Sequence, residues 1–411
     1  MTLPKLQAEW LSSPQTIALA EMFKTGGATA RFVGGVVRNT LLGQPVSDLD
    51  VATNARPERV MQWAQRAGFR AIGTGLQHGT VTLVVDHVVY EITTLRVDVQ
   101  TDGRHAQVAF TGDWRKDAQR RDFTMNALYC DFDGTLFDPL AGYADLKARR
   151  VRFIGQAEDR IREDFLRILR FFRFSAQYGE GKPDPSGLSA CVRLQAGMKS
   201  LSRERIGAEM VRLLVARRAG ELISVMFSHG LLLPLVGLVP QPSRFLRWLE
   251  LEETLGRRPN AMHRLGALFM MEPQNGSRLV HSLRLSNQQK HLLKLWTKGK
   301  EMNRETSPQE ARRLCYALRD DYQAHVMISW LHSGASASDP KWRKLHDLPD
   351  HWQPPTFPLT GKDLIHQGQK PGPHIGRTLR QLEQKWLEND FTLDKQTLLA
   401  IPPAHLSSHQ A

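Results

Sequence analysis

Two aspartates, Asp48 and Asp50, stand two positions apart at the start of a predicted β-strand. In an extended backbone, side chains at this spacing leave the same face, so both carboxylates point to one side. Carboxylate oxygens are ligands that Mg²⁺ prefers in proteins. The pattern therefore predicts a divalent-metal site, although an isolated Asp-x-Asp is more often part of a solvated loop.

A glycine pair precedes the two aspartates. The apolar segment ending at Val33 is followed by Gly34 and Gly35, and then by a short amphipathic stretch from Val36 to Leu42. We interpret this run as strand, glycine turn and short helix. Glycines at such a turn let the backbone approach a phosphate closely. A lone Gly-Gly is usually only a turn, but beside the aspartates it favours nucleotidyl or phosphoryl transfer.

Two further segments contain ionisable groups that suit this chemistry. Glu91 lies in a predicted strand and could complete the metal site or act as a base; an ordinary strand glutamate is an equally good interpretation. The run from Arg120 to Ala127 contains Arg121, Asp122 and Asn126. Arginine suits phosphate, and the acid and amide could hold a ribose hydroxyl or orient the arginines. Taken alone, this run is more simply an N-capped amphipathic helix.

A long helical pattern runs from Ile161 to Tyr178. Within it Asp164, Arg167 and Arg170 stand at three-residue steps, which on one continuous helix would align them on one face. A solvated row of salt bridges is the ordinary explanation. The alternative is base recognition, in which Asp164 accepts from the exocyclic amine of cytosine or adenine and Arg167 donates to the neighbouring acceptor nitrogen. Uracil and guanine would mismatch both groups, at about 1–3 kcal/mol for each unpaired group.

The elements that must position these residues change in character along the chain. Thr80–Val85 and Val88–Thr94 are β-branched runs separated by two residues, which predicts a hairpin. A polar, glycine-containing stretch from Thr101 to Asp113 is predicted to be a mobile loop. Near Arg150 arginine-rich helical patterns replace the strands. The sequence therefore predicts an N-terminal part of strands and helices, followed by an all-helical remainder.

Composition narrows the class of protein. The chain has 411 residues, 41% of them hydrophobic, which predicts two to four globular domains. It contains no run of about eighteen apolar residues and no N-terminal signal pattern, so we expect no membrane attachment and a cytoplasmic location. The three cysteines are far apart, as expected of reduced thiols. The formal net charge of +13 suggests a polyanionic partner such as nucleic acid.

Together these segments resemble the class II tRNA nucleotidyltransferases, the CCA-adding enzymes of the polymerase β superfamily, which share their family with poly(A) polymerases. The resemblance is dense from Arg31 to Ala176, in the segments FVGGVVRNTLLG, SDLDVATNARPERV, GTGLQHGTV, YEITTLR, RRDFTMNALYCDFDGTLFDPLAGYADL and REDFLRILRFFRFSA. Near the C-terminus it extends to LTGKDLIHQGQKPGPHIGRTLRQLEQKW. It implies an α+β fold with a mixed-sheet nucleotidyltransferase head at residues 1–148, and an all-helical neck at 149–218, body at 219–345 and tail at 346–411.

The resemblance also implies roles for individual residues. Asp48 and Asp50 would hold two Mg²⁺ ions, while Glu91 stays a third catalytic candidate. The predicted nucleotide contacts are Gly35 and Arg38 at the triphosphate, Arg121 and Asp122 at the sugar and phosphates, Asp164 and Arg167 at the base, and Arg170 and Arg173 in support of the pocket. Gly34 and Asn126 complete the predicted nucleotide-binding set.

The implied activity is template-independent addition of C, C and A to the 3′ end of tRNA, from CTP and ATP, with release of pyrophosphate. The expected partners are tRNA, ATP and CTP, and neither DNA nor a membrane is expected. A bacterial poly(A) polymerase or a partial CC- or A-adding enzyme is an alternative with the same head. A non-catalytic RNA-binding protein that retains the fold is a second alternative.

The chain departs from the family pattern at one position. The first motif of the family usually ends in Arg-Asp, whereas here Asn39 follows Arg38. Asparagine keeps hydrogen-bonding capacity but lacks the charge of a salt bridge that would orient Arg38. In addition, the polar stretch from Val97 to Asp113 is expected to help the switch from C to A addition, so that trimming it should impair A addition and spare CC addition.

Overall fold

The computed structural model describes residues 3–102, 105–270, 274–296 and 302–402. The chain forms two compact units. The first comprises Met1–Pro242 and Ser277–Leu285, and the second comprises Ser243–Gly276 and Ser286–Ala411. Every site residue predicted above lies in the first unit. No helix among the described residues is long and apolar enough to cross a membrane.

The strands of the described residues all lie in the N-terminal part of the first unit. They are β1 (Ala30–Val33), β2 (Leu49–Thr53), β3 (Arg70–Gly75), β4 (Thr80–Val85), β5 (Val88–Thr94), β6 (Arg96–Asp102), β7 (His105–Phe110), β8 (Tyr129–Cys130) and β9 (Leu136–Phe137). Seven form one sheet in the order β3-β4-β5-β2-β1-β8-β9. In this sheet β2 and β5 are parallel, and the other neighbouring strands are antiparallel. The predicted mixed sheet and the β4–β5 hairpin are confirmed.

The predicted mobile loop between Thr101 and Asp113 is wrong for most of its length. Strands β6 and β7 pair antiparallel as a separate two-stranded sheet, with Arg96 opposite Phe110. Residues 103 and 104 lie outside the described residues. Polar residues and glycine are typical of loops. The hydrogen bonds between paired strands, however, join backbone groups, so they can form between polar segments as well as apolar ones. Composition alone therefore misled the prediction.

Among the described residues, five helices accompany these strands in chain order. They are α1 (Pro14–Gly26), α2 (Gly35–Leu41), α3 (Pro57–Arg66), α4 (Trp114–Gln119) and α5 (Gly142–Lys147). Helix α2 contacts β1 and β2, and α3 contacts β3 and β4. The side chains of Phe32, Val51 and Ile92 on the central strands are fully buried, which stabilises the sheet. This packing fixes the ends of β1 and β2, where the glycines and aspartates lie.

Beyond Phe137 the described residues contain helices and no further strand, as predicted. In the first unit these helices are α6 (Ala157–Glu163), α7 (Leu166–Gln177), α8 (Pro185–Arg193), α9 (Arg203–Leu214), α10 (Ala219–Ser228) and α11 (Leu233–Val236). They are followed by α12 (Pro242–Thr254), α13 (Ala261–Phe269), α14 (Asn275–Leu283), α15 (Asn287–Lys294), α16 (Pro308–Leu318), α17 (Tyr322–Ser333), α18 (Pro340–His346), α19 (Leu348–His351), α20 (Gly361–His366), α21 (Pro373–Glu388) and α22 (Lys395–Leu399).

The predicted single helix from Ile161 to Tyr178 is interrupted. Helix α6 ends at Glu163 because Asp164 has extended backbone angles (φ −157°, ψ 106°), and α7 begins at Leu166. Oδ1 of Asp164 accepts a hydrogen bond from the Leu166 N–H at 3.0 Å. Aspartate competes with helix geometry through local bonds of this kind. Asp164 therefore lies at the break before α7 and not on the helical face that its spacing from Arg167 predicted.

Helix α14 returns the chain to the first unit. Its Leu279 and Leu283 are buried. A β-carbon at Gly207 in α9 would lie 2.2 Å from the carbonyl oxygen of Leu283, so only glycine permits this approach of the two backbones. Helix α14 therefore packs against α9, although the two helices are far apart in the sequence.

Candidate active site

The turn between β1 and α2 lies beside an arginine cluster. Gly34 has φ 72° and ψ −117°, a conformation that L side chains rarely adopt. A β-carbon there would lie 3.6 Å from Nη1 of Arg121 and 3.7 Å from the carbonyl oxygen of Asn126. The predicted glycine turn is therefore present, and its backbone lies close to a guanidinium that suits phosphate.

Three carboxylates lie on, or immediately before, the neighbouring strands β2 and β5. Asp50 in β2 is directly opposite Glu91 in the parallel strand β5, and Asp48 immediately precedes β2. Asp50 is half-buried, whereas Asp48 and Glu91 are exposed. Burial and then the charge of Glu91 raise the pKa of Asp50 to about 6, against the attraction of Arg121. The carboxylates therefore repel one another on one face of the sheet.

A divalent cation fits this set of oxygen donors. It would offset the burial and the repulsion from Glu91 that together raise the pKa of Asp50, and carboxylate oxygens suit Mg²⁺. Within the described ranges, no three His, Cys, Asp or Glu side chains already form a group that could hold a metal. Mg²⁺ commonly binds one or two carboxylates together with substrate phosphates, which matches Asp48 and Asp50. A role for Glu91 as third ligand or base stays a prediction.

Asp117 holds two adjacent arginines of the cluster. It is 1% exposed and forms ion pairs with Arg120 at 2.8 Å and Arg121 at 3.0 Å, while the Tyr129 hydroxyl donates to its Oδ2 at 2.7 Å. Burial alone would raise the pKa of Asp117, but the two arginines and the Tyr129 hydroxyl outweigh it and lower the pKa to about 2. Asp117 thus orients both guanidiniums and stays ionised.

Asp122 organises a second network. Its Oδ1 accepts from Nδ2 of Asn126 at 2.9 Å, and its Oδ2 accepts from Nε of Arg170 at 2.8 Å. Burial opposes ionisation of Asp122, but Arg170 and the hydrogen bonds from Asn126 and the Phe123 N–H lower its pKa. The predicted amphipathic helix from Arg120 to Ala127 is wrong, because a short 3₁₀ turn at residues 124–126 follows an extended Phe123. Asp122 and Asn126 nevertheless contact each other, and through Arg170 and Arg38 they orient arginines as predicted.

Arg38 is held by neutral groups. Its Nε and Nη2 donate to Oδ1 of Asn39 at 3.1 and 2.9 Å, and its Nη2 also donates to the Tyr178 hydroxyl at 2.8 Å. Nη1 donates to Oδ1 of Asn126, and the guanidinium lies 4.1 Å from the centroid of the Tyr178 ring. Nδ2 of Asn39 donates to the carbonyl of Pro45 at 2.9 Å. Asn39 therefore orients Arg38 without a salt bridge.

The predicted base-reading pair has its own supports. Oδ2 of Asp164 accepts from Nη2 of Arg205 at 2.6 Å, across 41 positions of sequence. Arg167 pairs with Glu163 at 2.5 Å, and its Nη2 donates to the carbonyl of Arg120 at 3.1 Å. Both side chains are therefore held in fixed orientations, one from α9 and the other from α6 and the head.

These networks surround one cavity of about 460 Å³, within the range of small-molecule sites. Its lining residues are Gly34, Gly35, Arg38, Asp50, Arg96, Arg120, Arg121, Asp122, Asn126, Asp164, Leu166, Arg167, Arg170, Phe174 and Arg205. Arginines outnumber carboxylates in this lining, so the cavity suits an anionic ligand.

Three predicted site residues do not line the cavity. Asp48 is exposed, and its Oδ2 accepts from Oγ of Ser47 at 2.8 Å. Glu91 is exposed on β5 beside Asp50. Arg173 is buried and donates through Nε to Glu209 at 2.6 Å. Its guanidinium lies 4.2 Å from the ring centroid of Phe174, which lines the cavity.

Sequence reasoning missed three residues that hold the site together. Asp117 stands three and four positions before Arg120 and Arg121, a helical spacing that predicts ion pairs. Arg205 carried no such signal, because its pairing with Asp164 depends on the packing of α7 against α9. Tyr178 likewise reaches Arg38 only through the tertiary fold.

Comparison with known proteins gives consistent matches. Residues 30–152 match the protein family described as the Poly A polymerase head domain. CCA tRNA nucleotidyltransferase 1, mitochondrial, of Danio rerio is 36% identical over 414 residues, covering 97% of this chain and 93% of that protein. The CCA-adding enzyme of Leuconostoc citreum is 32% identical over 401 residues, covering 94% of each chain.

A solved structure agrees with these relatives. The crystal structure of the Bacillus stearothermophilus CCA-adding enzyme in complex with CTP matches with a TM-score of 0.70 and 26% sequence identity. The match covers 94% of this chain and 96% of that one. It therefore extends well beyond the head into the helical remainder.

Proposed function

This chain belongs to the family of CCA-adding tRNA nucleotidyltransferases, and we propose that it adds C, C and A to the 3′ end of tRNA. CTP and ATP are the nucleotide substrates, and pyrophosphate is the second product. The observation that supports this most directly is the cavity in which the glycine turn, Asp50 and the arginine cluster face Asp164 and Arg167. One end of this cavity suits phosphates, and the other presents an acceptor and a donor to a base.

The phosphate end is built from side chains that are already oriented. Asp117 fixes Arg121, and Asn39 with Tyr178 fixes Arg38, so both guanidiniums are positioned before a ligand binds. The open backbone at Gly34 and Gly35 lies between them, because Nη1 of Arg121 approaches Gly34 and Nη2 of Arg38 approaches Gly35. We propose that a nucleoside triphosphate lies against this turn and that Asp122 and Asn126 position its ribose.

Nucleotidyltransferases of this family use a divalent metal. We propose that Asp48 and Asp50 hold it, as two Mg²⁺ ions. Such ions, when bound, lower the pKa of the attacking 3′-hydroxyl and stabilise the charge of leaving pyrophosphate. The side chains contribute by presenting acceptor oxygens on one face of β2, with Glu91 beside Asp50 as a further acceptor for a proton or a cation.

The base end would replace a template strand. The Leu166 N–H holds Oδ1 of Asp164, and Arg205 holds Oδ2, so this carboxylate is a fixed acceptor for an exocyclic amine. Arg167 would donate to the acceptor nitrogen next to that amine. Cytosine and adenine offer this arrangement, whereas uracil and guanine offer its inverse. We propose that Arg170 supports the pocket through Asp122, and Arg173 supports it through Glu209.

We propose that tRNA is the nucleic-acid partner, bound along the arginine-rich neck and the tail, and that the head, neck, body and tail have the boundaries given above. The basic charge of the chain is consistent with a phosphate backbone as ligand. The cytoplasmic location stays a prediction, since a mitochondrial enzyme is among the similar proteins.

Incubation with tRNA that lacks its 3′ end, Mg²⁺ and labelled CTP and ATP, followed by product sequencing, tests the proposed activity. Products ending in CCA are expected. A run of A residues would indicate a poly(A) polymerase, and products ending in CC alone, or A added only to tRNA that ends in CC, would indicate a partial enzyme. Asp48→Ala should abolish addition; if it retained every cellular function of the protein, the chain would be a non-catalytic RNA-binding protein.

A further inference from the structure

The arginines of the cavity differ in how their charge is balanced. Five of them pair with carboxylates at 2.5–3.0 Å: Arg120 and Arg121 with Asp117, Arg167 with Glu163, Arg170 with Asp122, and Arg205 with Asp164. Arg38 does not. In the part of the chain that the structure describes, no carboxylate lies within ion-pair distance of its guanidinium, and its side-chain partners are the neutral groups of Asn39, Asn126 and Tyr178.

Arg38 is nonetheless buried, with 7% of its surface exposed, and it lines the cavity. A guanidinium has five N–H groups. Nε and one Nη2 hydrogen bind Asn39, the other Nη2 hydrogen binds Tyr178, and one Nη1 hydrogen binds Asn126, so one Nη1 hydrogen remains for a ligand. Burial lowers the pKa of Arg38, as expected of a desolvated cation, although the attraction of Asp122, which reaches Arg38 through Asn126 without an ion pair, partly opposes this shift. Because no carboxylate among the described residues contacts Arg38, a phosphate bound in the cavity can supply a counter-charge in direct contact.

Asn39 orients Arg38 through its amide oxygen and binds the following turn through its amide nitrogen. Oδ1 accepts from Arg38 at 2.9 and 3.1 Å, and Nδ2 donates to the carbonyl of Pro45 at 2.9 Å. A carboxylate of the same shape would accept but could not donate. Pro45 belongs to the turn that leads to Asp48, so the amide links the triphosphate arginine to the segment before β2.

We propose that Asn39 is a positioning residue that orients Arg38 without placing a counter-charge in contact with it, so that a triphosphate or pyrophosphate supplies the contacting anion. This inference rests on the proposed function, because it deepens the role of the same phosphate site. The attraction acts on phosphate oxygens and not on the base. Asn39 therefore strengthens the binding of CTP, ATP and pyrophosphate alike, without changing the selection between bases.

The substitution Asn39→Asp tests this directly. It keeps the acceptor for Arg38 but adds a negative charge in contact with the guanidinium, which weakens the attraction for phosphate. We expect the Kd of the full-length protein for CTP and for pyrophosphate, measured by calorimetry with Mg²⁺, to rise about tenfold. The KM for CTP and for ATP should rise by the same factor, kcat should change less, and the CTP-to-UTP selectivity should stay unchanged.

Two control variants separate charge from structure. Gln44→Glu adds the same charge to the turn that follows α2, without a side-chain hydrogen bond to Arg38 in the described structure, and should change either Kd less than twofold. Asn39→Ala removes all three of these side-chain hydrogen bonds without adding charge, and should weaken binding less than Asn39→Asp does, with a smaller change in salt dependence. Thermal unfolding of each variant reports whether the fold is retained.

The inference is overturned if Asn39→Asp binds pyrophosphate as tightly as the unaltered protein, or if Asn39→Ala and Asn39→Asp weaken binding equally. Failure of the proposed function has a different signature, because the unaltered protein would then add no nucleotide to truncated tRNA. If it adds nucleotides and Asn39→Asp binds normally, only the role of Asn39 is wrong.

Discussion

Removal of the Arg205 guanidinium should relax base selection. Arg205 contacts Oδ2 of Asp164 at 2.6 Å, and the two side chains are only 29% and 21% exposed. Without this partner, Oδ2 loses its anchor, and the bond from the Leu166 N–H is the hydrogen bond to the carboxylate that remains among the described residues. A carboxylate that can turn away no longer opposes the uracil carbonyl. An unpaired group costs about 1–3 kcal/mol, so Arg205→Ala should forfeit about 1.4 kcal/mol of discrimination, or about a factor of ten.

The assay is competition between CTP and UTP for the first addition to truncated tRNA, expressed as the ratio of kcat/KM values. Arg205→Lys retains a cation and should recover part of the ratio, although a point charge cannot reproduce the geometry of the guanidinium. Arg212→Ala removes an exposed arginine from the same helix, about two turns away, and should leave the ratio unchanged. If Arg205→Ala lowers kcat/KM for both nucleotides equally, Arg205 only supports the fold and the reasoning is refuted.

Three further outcomes follow from the same site. Asp164→Ala should relax discrimination against UTP and GTP more than it weakens triphosphate binding, and unchanged selectivity in incorporation assays would contradict the pairing role. Asp48→Ala, or chelation of divalent metal, should reduce addition at least a thousandfold while tRNA binding in a gel-shift assay persists; loss of both would mean that the fold has failed. Asp117 has a folded pKa of about 2, below its unfolded value, so its contribution is present above about pH 4 and is lost as the pH falls towards 2. At neutral pH it should contribute roughly 2 kcal/mol to the free energy of unfolding, and urea unfolding of Asp117→Asn should respond less to pH between 6 and 3; parallel pH profiles would count against it.

Local patterns predicted the parts of the site that depend on local conformation. The positive φ of Gly34 and the extended backbone at Asp50 follow from residue type and spacing within a few positions. The β4–β5 hairpin follows from two β-branched runs and a short turn. For such features the sequence within one element contains nearly all of the deciding interactions.

The errors came from interactions that spacing does not reveal. Asp164 interrupts the predicted helix because its carboxylate accepts a hydrogen bond from the Leu166 N–H. The helical periodicity of the sequence does not reveal this local bond. Its ion pair with Arg205 requires α7 and α9 to be packed together. The pairing of β6 with β7 was hidden because composition reports side chains and the ladder joins backbones.

The order of the chain has a consequence for biogenesis. Leu279 and Leu283 are buried in the first unit, and the Leu283 carbonyl lies against Gly207, but residues 243–276 belong to the second unit. A nascent polypeptide that has emerged only as far as Pro242 therefore lacks residues 277–285, which are part of the first unit. Fragments that end there should expose apolar surface and bind chaperones. The first unit can complete its folding only after residue 285 has emerged from the ribosome.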